Sequence, residues 1–233
     1  MRIFLTKLID LIYILSKHNR FSILIHRKKL LAIEQRETMS IEHEKKHQHA
    51  GKSSQAFLKP EDIIDPIGLQ KGDKVLDVGC GNGHVSLYAA LFVGNIGTVY
   101  GIDSDQMAIN ALNEVIAARG LKNIFALRED VTEGLALNPN SIDVCLMVNV
   151  FHGFVMNGEV GDVFRAVNQV LRDQGLLIIV DFKKGEDTPG PPQEIRIAIS
   201  EARQIMLRYG YRCLKTYSPG PYHYSLIFVK SMK

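Results

Sequence analysis

The chain has 233 residues, of which 46% are hydrophobic and 23% charged, and its formal net charge at pH 7 is +3. This is the composition of a soluble globular protein with one ordinary domain, and the charge is too small to indicate nucleic-acid or membrane binding by itself. The three cysteines, Cys80, Cys145 and Cys213, form no C-x-x-C pair. Their pattern argues against a disulfide framework and a zinc ribbon, and predicts a cytoplasmic protein.

Residues 1–30 have a different character from the rest of the chain and are interpreted separately. The apolar run from Ile3 to Leu15 is too short to span a bilayer, which takes about 20 apolar residues. No small-residue cleavage site follows it, as a signal peptide would require. Basic residues follow instead, so residues 1–30 are either an amphipathic helix on a membrane or partner, or a loosely attached extension, which we favour.

A polar stretch, Ser40–Ser54, precedes the domain. Its histidines His43, His47 and His49 are spaced as metal ligands could be, but without a carboxylate or cysteine at fixed geometry we interpret them as part of a solvated linker. The sequence therefore predicts an extension and linker over residues 1–56 and one domain over residues 57–233. No metal site is predicted.

From Pro60 onward helical and strand-like patterns alternate, which is typical of a parallel sheet covered on both faces. Strands are predicted at Lys74–Val78, Thr98–Ile102, Ile124–Arg128, Ile142–Val148 and Leu176–Asp181, and helices at Glu61–Leu69, Val85–Val93, Gln106–Arg119 and Val160–Leu171.

The end of the chain has a different pattern. A helix is predicted from Glu194 to Arg208, and then two strands, Arg212–Tyr217 and Tyr222–Val229, joined by Ser-Pro-Gly-Pro. A short connector without a helix indicates an antiparallel hairpin. The predicted fold class is α/β, with a seven-stranded sheet of five parallel strands and a C-terminal antiparallel hairpin, and helices on both faces.

The stretch VLDVGCGNGHVSLYAA, Val75 to Ala90, places three glycines between a strand and a helix. In doubly wound sheets, ligands bind at the carboxyl ends of the strands. A dinucleotide-binding loop would read G-x-G-x-x-G, with a pyrophosphate on the helix N-terminus. Here the third glycine comes one residue early, and Asp77 would place a negative charge beside the pyrophosphate. A ligand with an ammonium and a sulfonium group removes both objections.

Three segments, VLDVGCGNG, VYGIDSD and LREDVTE, together form a set of motifs in the order of the predicted strands. The chain from about Phe57 to Lys230 resembles class I S-adenosylmethionine-dependent methyltransferases, most closely the small-molecule branch that includes the ubiquinone and menaquinone biosynthesis enzymes. The resemblance implies a Rossmann-like sheet and S-adenosylmethionine as cofactor. It places Gly79, Gly81 and Gly83 along the methionine part, with Asp77 organising the loop or facing the ammonium group through water.

The resemblance also implies contacts for the rest of the cofactor. Asp103, next to Ser104, would accept both ribose hydroxyls, because a carboxylate has two oxygens for two donors. An ordinary helix N-cap at Asp103 or Ser104 is the alternative. Further contacts are Met107 over one adenine face, Asp130 to the adenine amino group, the amide of Val131 to a ring nitrogen, and the carbonyl of Asn149 to the ammonium group.

The acceptor side is less defined. His152 is the candidate base, because it follows the fourth strand and its free pKa lies near the working range; a residue that only shapes the pocket is the alternative. Phe151 is expected at the mouth of the site. Lys183 in the connection after the fifth strand, and Tyr222 and His223 at the hairpin, are candidate substrate contacts, although solvated lysines and ordinary strand packing would give the same pattern.

Several functions stay open. The chain contains neither the D/N-P-P-Y/F turn nor the Pro-Cys pair of enzymes that methylate nucleic-acid bases, so the predicted partner is a small-molecule methyl acceptor. The alternatives are an NAD(P)-dependent oxidoreductase, a protein that binds S-adenosylmethionine without catalysis, and an RNA or protein methyltransferase that uses the basic N-terminal arm. The acceptor and the oligomeric state are not determined by these patterns.

Overall fold

The computed structural model describes residues 58–185 and 189–231. The interpretations of residues 1–30 and of the linker, and the domain boundary at Phe57, lie outside the described residues and stay predictions. Within the described part of the chain, no helix is both long and apolar enough to cross a membrane.

Seven strands form a single sheet in the spatial order β3-β2-β1-β4-β5-β7-β6. Their bounds are β1 Lys74–Val78, β2 Thr98–Asp103, β3 Ile124–Arg128, β4 Ile142–Val148, β5 Leu171–Phe182, β6 Tyr211–Tyr217 and β7 His223–Lys230. Strands β1 to β5 pair in parallel, and β7 is antiparallel to both β5 and β6. The predicted fold class is confirmed.

The helices fill both faces of the sheet. They are α1 Pro60–Ile64, α2 His84–Val93, α3 Gln106–Arg119, α4 Phe151–Met156, α5 Val160–Val170 and α6 Ile199–Arg208, with short 3-10 turns at Asp65–Ile67 and Gln193–Ile195. The predicted first helix is interrupted at Asp65–Ile67, because Pro66 has no N–H to continue the hydrogen-bond ladder.

Neighbouring residues of the central strands enter two different hydrophobic cores. Leu76 of β1 packs on the side of α5 and α6, whereas Val75, its neighbour, packs on the side of α2 and α3. Alternation along a strand sends successive side chains to opposite faces. Both faces are covered, so the central strands consist almost entirely of apolar residues, and β4 is buried over most of its length.

Besides the interrupted first helix, three elements differ from the prediction by more than one residue. The predicted helix from Glu194 to Arg208 consists of a 3-10 turn at Gln193–Ile195 and of α6, which begins only at Ile199. Strand β5 begins at Leu171 rather than Leu176, directly after α5, because Leu171 pairs with Ile142 before an irregularity in the register puts Leu176 opposite Val144. Helix α4, Phe151–Met156, was not predicted. Its six residues are fewer than two turns, too few for a helical period to appear in the sequence.

Candidate active site

The glycine turn lies at the carboxyl end of β1. A Cβ atom at Gly79 would lie 2.5 Å from the Val150 side chain, and one at Gly83 would lie 2.4 Å from that of Leu112. At Gly81, which has a φ of +54°, a Cβ would meet nothing within 4 Å. Two of the glycines are therefore required by packing within the protein, whereas the backbone of the middle one borders open space.

Asp77 lies beneath this turn and is 2% exposed. The Ser86 hydroxyl, on the first turns of α2, donates a 2.5 Å hydrogen bond to its carboxylate. Burial raises the pKa of Asp77 to about 6; the hydrogen bond from Ser86 opposes this shift and the nearby charge of Asp103 adds to it. This contact fixes α2 behind the glycine turn.

Asp103 ends β2 and joins two backbone segments. One carboxylate oxygen accepts the Gly81 N–H at 2.9 Å, and the other accepts the Asp105 N–H at 2.9 Å. A carboxylate oxygen has two acceptor positions, so each retains capacity for a second donor. The carboxylate is thus held at the edge of the glycine turn, with both oxygens oriented by backbone amides.

The N-cap of α3 is a neighbouring acid. The Asp105 carboxylate accepts the Met107 N–H at 2.8 Å. The alternative interpretation, in which Asp103 or Ser104 caps this helix, is therefore wrong. Met107 lies in the first helical turn and is 79% exposed, so its side chain is accessible beside Asp103.

Strand β3 ends at the same edge of the sheet. Asp103 is opposite Arg128 in the register of β2 and β3, which brings the turn after β3 next to the turn after β2. In that turn, one oxygen of Asp130 accepts both the backbone N–H and the hydroxyl of Thr132, at 2.9 and 2.7 Å. The Val131 side chain is buried in the core.

Asn149 directly follows β4 and has a φ of +59°, in the left-handed region that asparagine tolerates better than most residues. Its N–H donates to the Val180 carbonyl oxygen at 2.8 Å, which ties the turn to β5. Its side-chain oxygen is buried and has no hydrogen-bond partner among the described residues. A buried acceptor of this kind is costly unless a donor meets it.

The next turn contains a buried histidine and aspartate. His152 Nδ1 lies 2.9 and 3.0 Å from the two carboxylate oxygens of Asp181, and the His152 backbone N–H donates to the same carboxylate at 2.9 Å. The side chains are 10% and 1% exposed, respectively. Asp181 was predicted only as the end of a strand. Its position as an acid closing a long apolar strand, which it shares with Asp103, is the signal that could have found it.

Two predicted acceptor contacts are buried elsewhere. The Phe151 ring is fully buried and packs edge-on against Phe164 at 6.3 Å, so the prediction that it faces the mouth of the site is wrong. His223 is also fully buried, with its ring 4.1 Å from that of Phe182, which contradicts a position on the rim. Burial lowers the pKa of His223 to about 4, because the charged form loses its hydration.

Lys183 and Tyr222 do lie together. The Lys183 backbone N–H donates to the Tyr222 carbonyl oxygen at 2.9 Å, and the Lys183 ammonium group donates to the Pro221 carbonyl oxygen at 3.0 Å. Arg196, 2% exposed, donates to the carbonyl oxygens of Pro191 and Lys183 at 2.8 and 3.1 Å. The guanidinium thus ties together two points of the connection after β5, whereas Lys183 joins this connection to the turn before β7.

The residues after β1 to β5 therefore share one edge of the sheet. The described residues contain no group of three or more His, Cys, Asp or Glu side chains arranged to hold a metal ion. The glycine turn, the acids Asp103 and Asp130 near the ends of β2 and β3, and the His152–Asp181 pair near the ends of β4 and β5 form one candidate site at this edge of the α/β sheet.

Comparison with known proteins identifies the family. Residues 69–214, more than half of the chain, match a family described as a methyltransferase domain. The chain belongs to this family. The predicted class is confirmed, and S-adenosylmethionine is the cofactor of that class.

Several of the similar proteins are methyltransferases by name. A probable cobalt-precorrin-6B C(15)-methyltransferase of Saccharolobus solfataricus is 44% identical over 28% of this chain and 32% of its own length. A demethylmenaquinone methyltransferase of Geobacillus stearothermophilus is 26% identical over 52% of this chain and 50% of its own. A solved SAM-dependent methyltransferase from Aquifex aeolicus is 28% identical, with a TM-score of 0.69, over 80% of this chain and 97% of that one. The aligned segments span a third to a half of the two curated relatives.

Proposed function

We propose that this protein transfers a methyl group from S-adenosylmethionine to a small-molecule acceptor. The observation that carries the proposal is the Asp103 carboxylate, oriented by the amides of Gly81 and Asp105 at the mouth of the glycine turn. The family match supports it, and the two curated relatives are named for small acceptors, a cobalt-precorrin and a demethylmenaquinone.

The residues after β1 and β4 fit the methionine end of the cofactor. Gly81 borders open space, so its backbone allows a ligand to approach closely. The unpartnered side-chain oxygen of Asn149 is an acceptor that an ammonium group would satisfy, in addition to the Asn149 carbonyl that the sequence predicts for this role. Gly79 and Gly83 set the path of the turn through their packing. Bound there, the cofactor supplies a methyl group on a positively charged sulfur.

The residues after β2 and β3 are proposed for the nucleoside end. Each Asp103 oxygen can accept one ribose hydroxyl beside the amide it already accepts. Ser104 and the exposed Met107 side chain follow on the same turn. In the next turn, Asp130 and the amide of Val131 are proposed for the adenine ring.

On the acceptor side, we propose His152 as the base, with Lys183 and Tyr222 at the rim. The His152 side chain is largely buried but not fully, so it can present one edge to a bound acceptor. Methyl transfer from a sulfonium needs mainly positioning and exclusion of water from the protein. A base contributes only where the accepting atom must lose a proton.

Asp103 provides the direct test. We expect Asp103→Ala to weaken S-adenosylmethionine binding by more than tenfold in isothermal titration calorimetry, because two charge-assisted hydrogen bonds to the ribose are lost. The matched control is Asp105→Asn, which removes the same charge two residues away and keeps a good N-cap. Its affinity should stay within about twofold of the parent protein. Equal affinities for Asp103→Ala and the parent would contradict the placement of the ribose.

Catalysis is tested separately from binding. Isotope-labelled S-adenosylmethionine incubated with a metabolite extract and the protein should yield a labelled product that mass spectrometry identifies. Binding without any labelled product would favour the alternative of a non-catalytic S-adenosylmethionine-binding protein. No binding would refute the proposed function.

A further inference from the structure

The carboxylate of Asp181 gathers three N–H groups from two segments. It accepts the backbone N–H of His152 at 2.9 Å and that of Phe182 at 2.8 Å, and His152 Nδ1 lies within 3.0 Å of both of its oxygens. The side chain is 1% exposed. A buried carboxylate is retained where donors satisfy it, and here one of those donors belongs to a histidine side chain.

This contact determines the tautomer of His152. An ionised carboxylate only accepts hydrogen bonds, so the ring nitrogen beside it must be the one that carries the proton. In the neutral ring Nε2 then has a free lone pair. Nδ1 is the only ring nitrogen of His152 with a hydrogen bond to the described residues, and the side chain is 10% exposed.

The other ionisable groups near the pair do not replace His152 as the donor. Tyr224 lies opposite Asp181 in the register of β5 and β7, and the Asp181 charge raises the pKa of its hydroxyl further after burial has raised it. His223 is kept neutral near pH 7, since burial lowers its pKa to about 4. Arg196, whose charge also acts on His223, donates to backbone carbonyl oxygens.

We infer that Asp181 is a positioning residue that holds His152 with Nε2 as a proton acceptor, and that the methyl acceptor is an atom that carries a proton before transfer. The inference rests on the proposed function. It restricts the substrate class to hydroxyl, N–H or acidic C–H acceptors, and excludes acceptors that react through a lone pair without losing a proton.

The proposed step balances. The acceptor atom uses the electron pair of its bond to hydrogen to form the bond to the methyl carbon, and the proton passes to His152 Nε2. The carbon–sulfur bond breaks and its electron pair stays on sulfur, which becomes a neutral thioether. The positive charge lost by sulfur appears on the imidazolium, beside the Asp181 carboxylate that stabilises it.

The tautomer is measured without any acceptor. In protein labelled with ¹⁵N-histidine and saturated with S-adenosylhomocysteine, we expect the His152 signals of a neutral Nδ1–H ring in alkaline buffer, assigned by their loss in His152→Gln. Asp181→Asn should shift the ring towards Nε2–H, because the amide N–H then donates to Nδ1. A structural role for Asp181 would not require this shift.

The matched control is Asp143→Asn. Asp143 also accepts a backbone N–H, from Lys74 at 2.8 Å, and a charged side chain, Arg172 at 2.6 Å, but it lies near the start of β4, away from the site. The Asp143→Asn substitution should leave the His152 tautomer and the rate of methyl transfer as in the parent protein. An Nε2–H ring in the parent protein would overturn the inference.

Turnover is measured with labelled S-adenosylmethionine and the extract fraction that accepts label from the parent protein. We expect His152→Gln to lower kcat about 100-fold, a typical contribution of a general base, and Asp181→Asn to lower it at least about tenfold. KM for S-adenosylmethionine should stay within about twofold in both. If Asp181→Asn fails to fold, the tautomer of the parent and the turnover of His152→Gln still decide.

The outcomes separate the two proposals. Absence of S-adenosylmethionine binding and of labelled product in the parent would refute the proposed function itself. Full turnover in His152→Gln would overturn the inference and leave the function standing. A loss in His152→Gln with Asp181→Asn equal to Asp143→Asn would overturn the role of Asp181.

Discussion

At the scale of the residue, the ionisation of Asp77 makes the stability of the folded protein depend on pH. Its pKa is raised from 3.8 to about 6 by burial, so between these values the folded protein binds more protons at this site than the unfolded chain. Asp77 therefore contributes stability below about pH 4 that is lost as the pH rises through about 6. The shift corresponds to roughly 3 kcal/mol over the whole range.

We expect Asp77→Asn to remove this loss. The amide cannot ionise and its oxygen can still accept the hydrogen bond from Ser86. The difference in unfolding free energy between variant and parent should grow in favour of the variant by about 1 kcal/mol from pH 5 to pH 7, measured by urea unfolding. A difference that does not change with pH would contradict the raised pKa.

His223 acts in the opposite direction and does not affect that comparison. Its pKa is lowered from 6.5 to about 4 by burial, so between these values the unfolded chain binds more protons than the folded protein. Its contribution to stability therefore grows as the pH rises through this window. Both proteins retain His223, and its contribution cancels in their difference.

At the scale of the element, a substitution in the glycine turn allows its effect on stability to be distinguished from its effect on cofactor binding. We expect Gly81→Ala to cost about 1 kcal/mol, the strain of a side chain in the left-handed region, and to weaken S-adenosylmethionine binding at least tenfold, since the methyl group enters the open space that the ligand would occupy. Urea unfolding and calorimetry measure the two effects.

Gly120, the C-cap of α3, provides the control. Its φ is +62° and a Cβ atom there also meets nothing within 4 Å, so Gly120→Ala carries similar backbone strain away from the turn. It should lose similar stability and keep the parent affinity. Equal affinity losses in both variants would mean that general destabilisation, and not contact with the cofactor, explains the effect at Gly81.

At the scale of the whole molecule, the cofactor should stabilise the fold, because a ligand that binds only the native state, here across the turns proposed for it, raises the unfolding free energy. S-adenosylmethionine at about 100 times its Kd should add about 2.7 kcal/mol to the unfolding free energy. NAD at the same concentration should add none, since the third glycine comes one residue too early for a dinucleotide-binding loop and Asp77 disfavours a pyrophosphate at this turn. Thermal unfolding with each ligand tests this, and stabilisation by NAD alone would favour the oxidoreductase alternative.

Local patterns determined most of the fold. The bounds of β1, β3, β4 and α3 agree with the prediction, because apolar runs between glycines and helical periodicity are set by neighbouring residues. The glycine turn and the acids after β2 and β3 were found by motif for the same reason. Helix α4 is too short to show a period, and the early start of β5 depends on pairing with β4.

Only the tertiary structure decided which side chains meet. The pairing of β4 with β5 brings together His152 and Asp181, 29 residues apart in the chain, and the pairing of β1 with β2 brings Asp103 to Gly81. Tertiary packing also buries Phe151 and His223 inside the protein, whereas the sequence predicted that both lie at the rim of the site. A residue's own neighbours determine the element in which it lies, whereas burial and hydrogen-bond partners depend on segments distant in the chain, and these become adjacent only when the sheet forms.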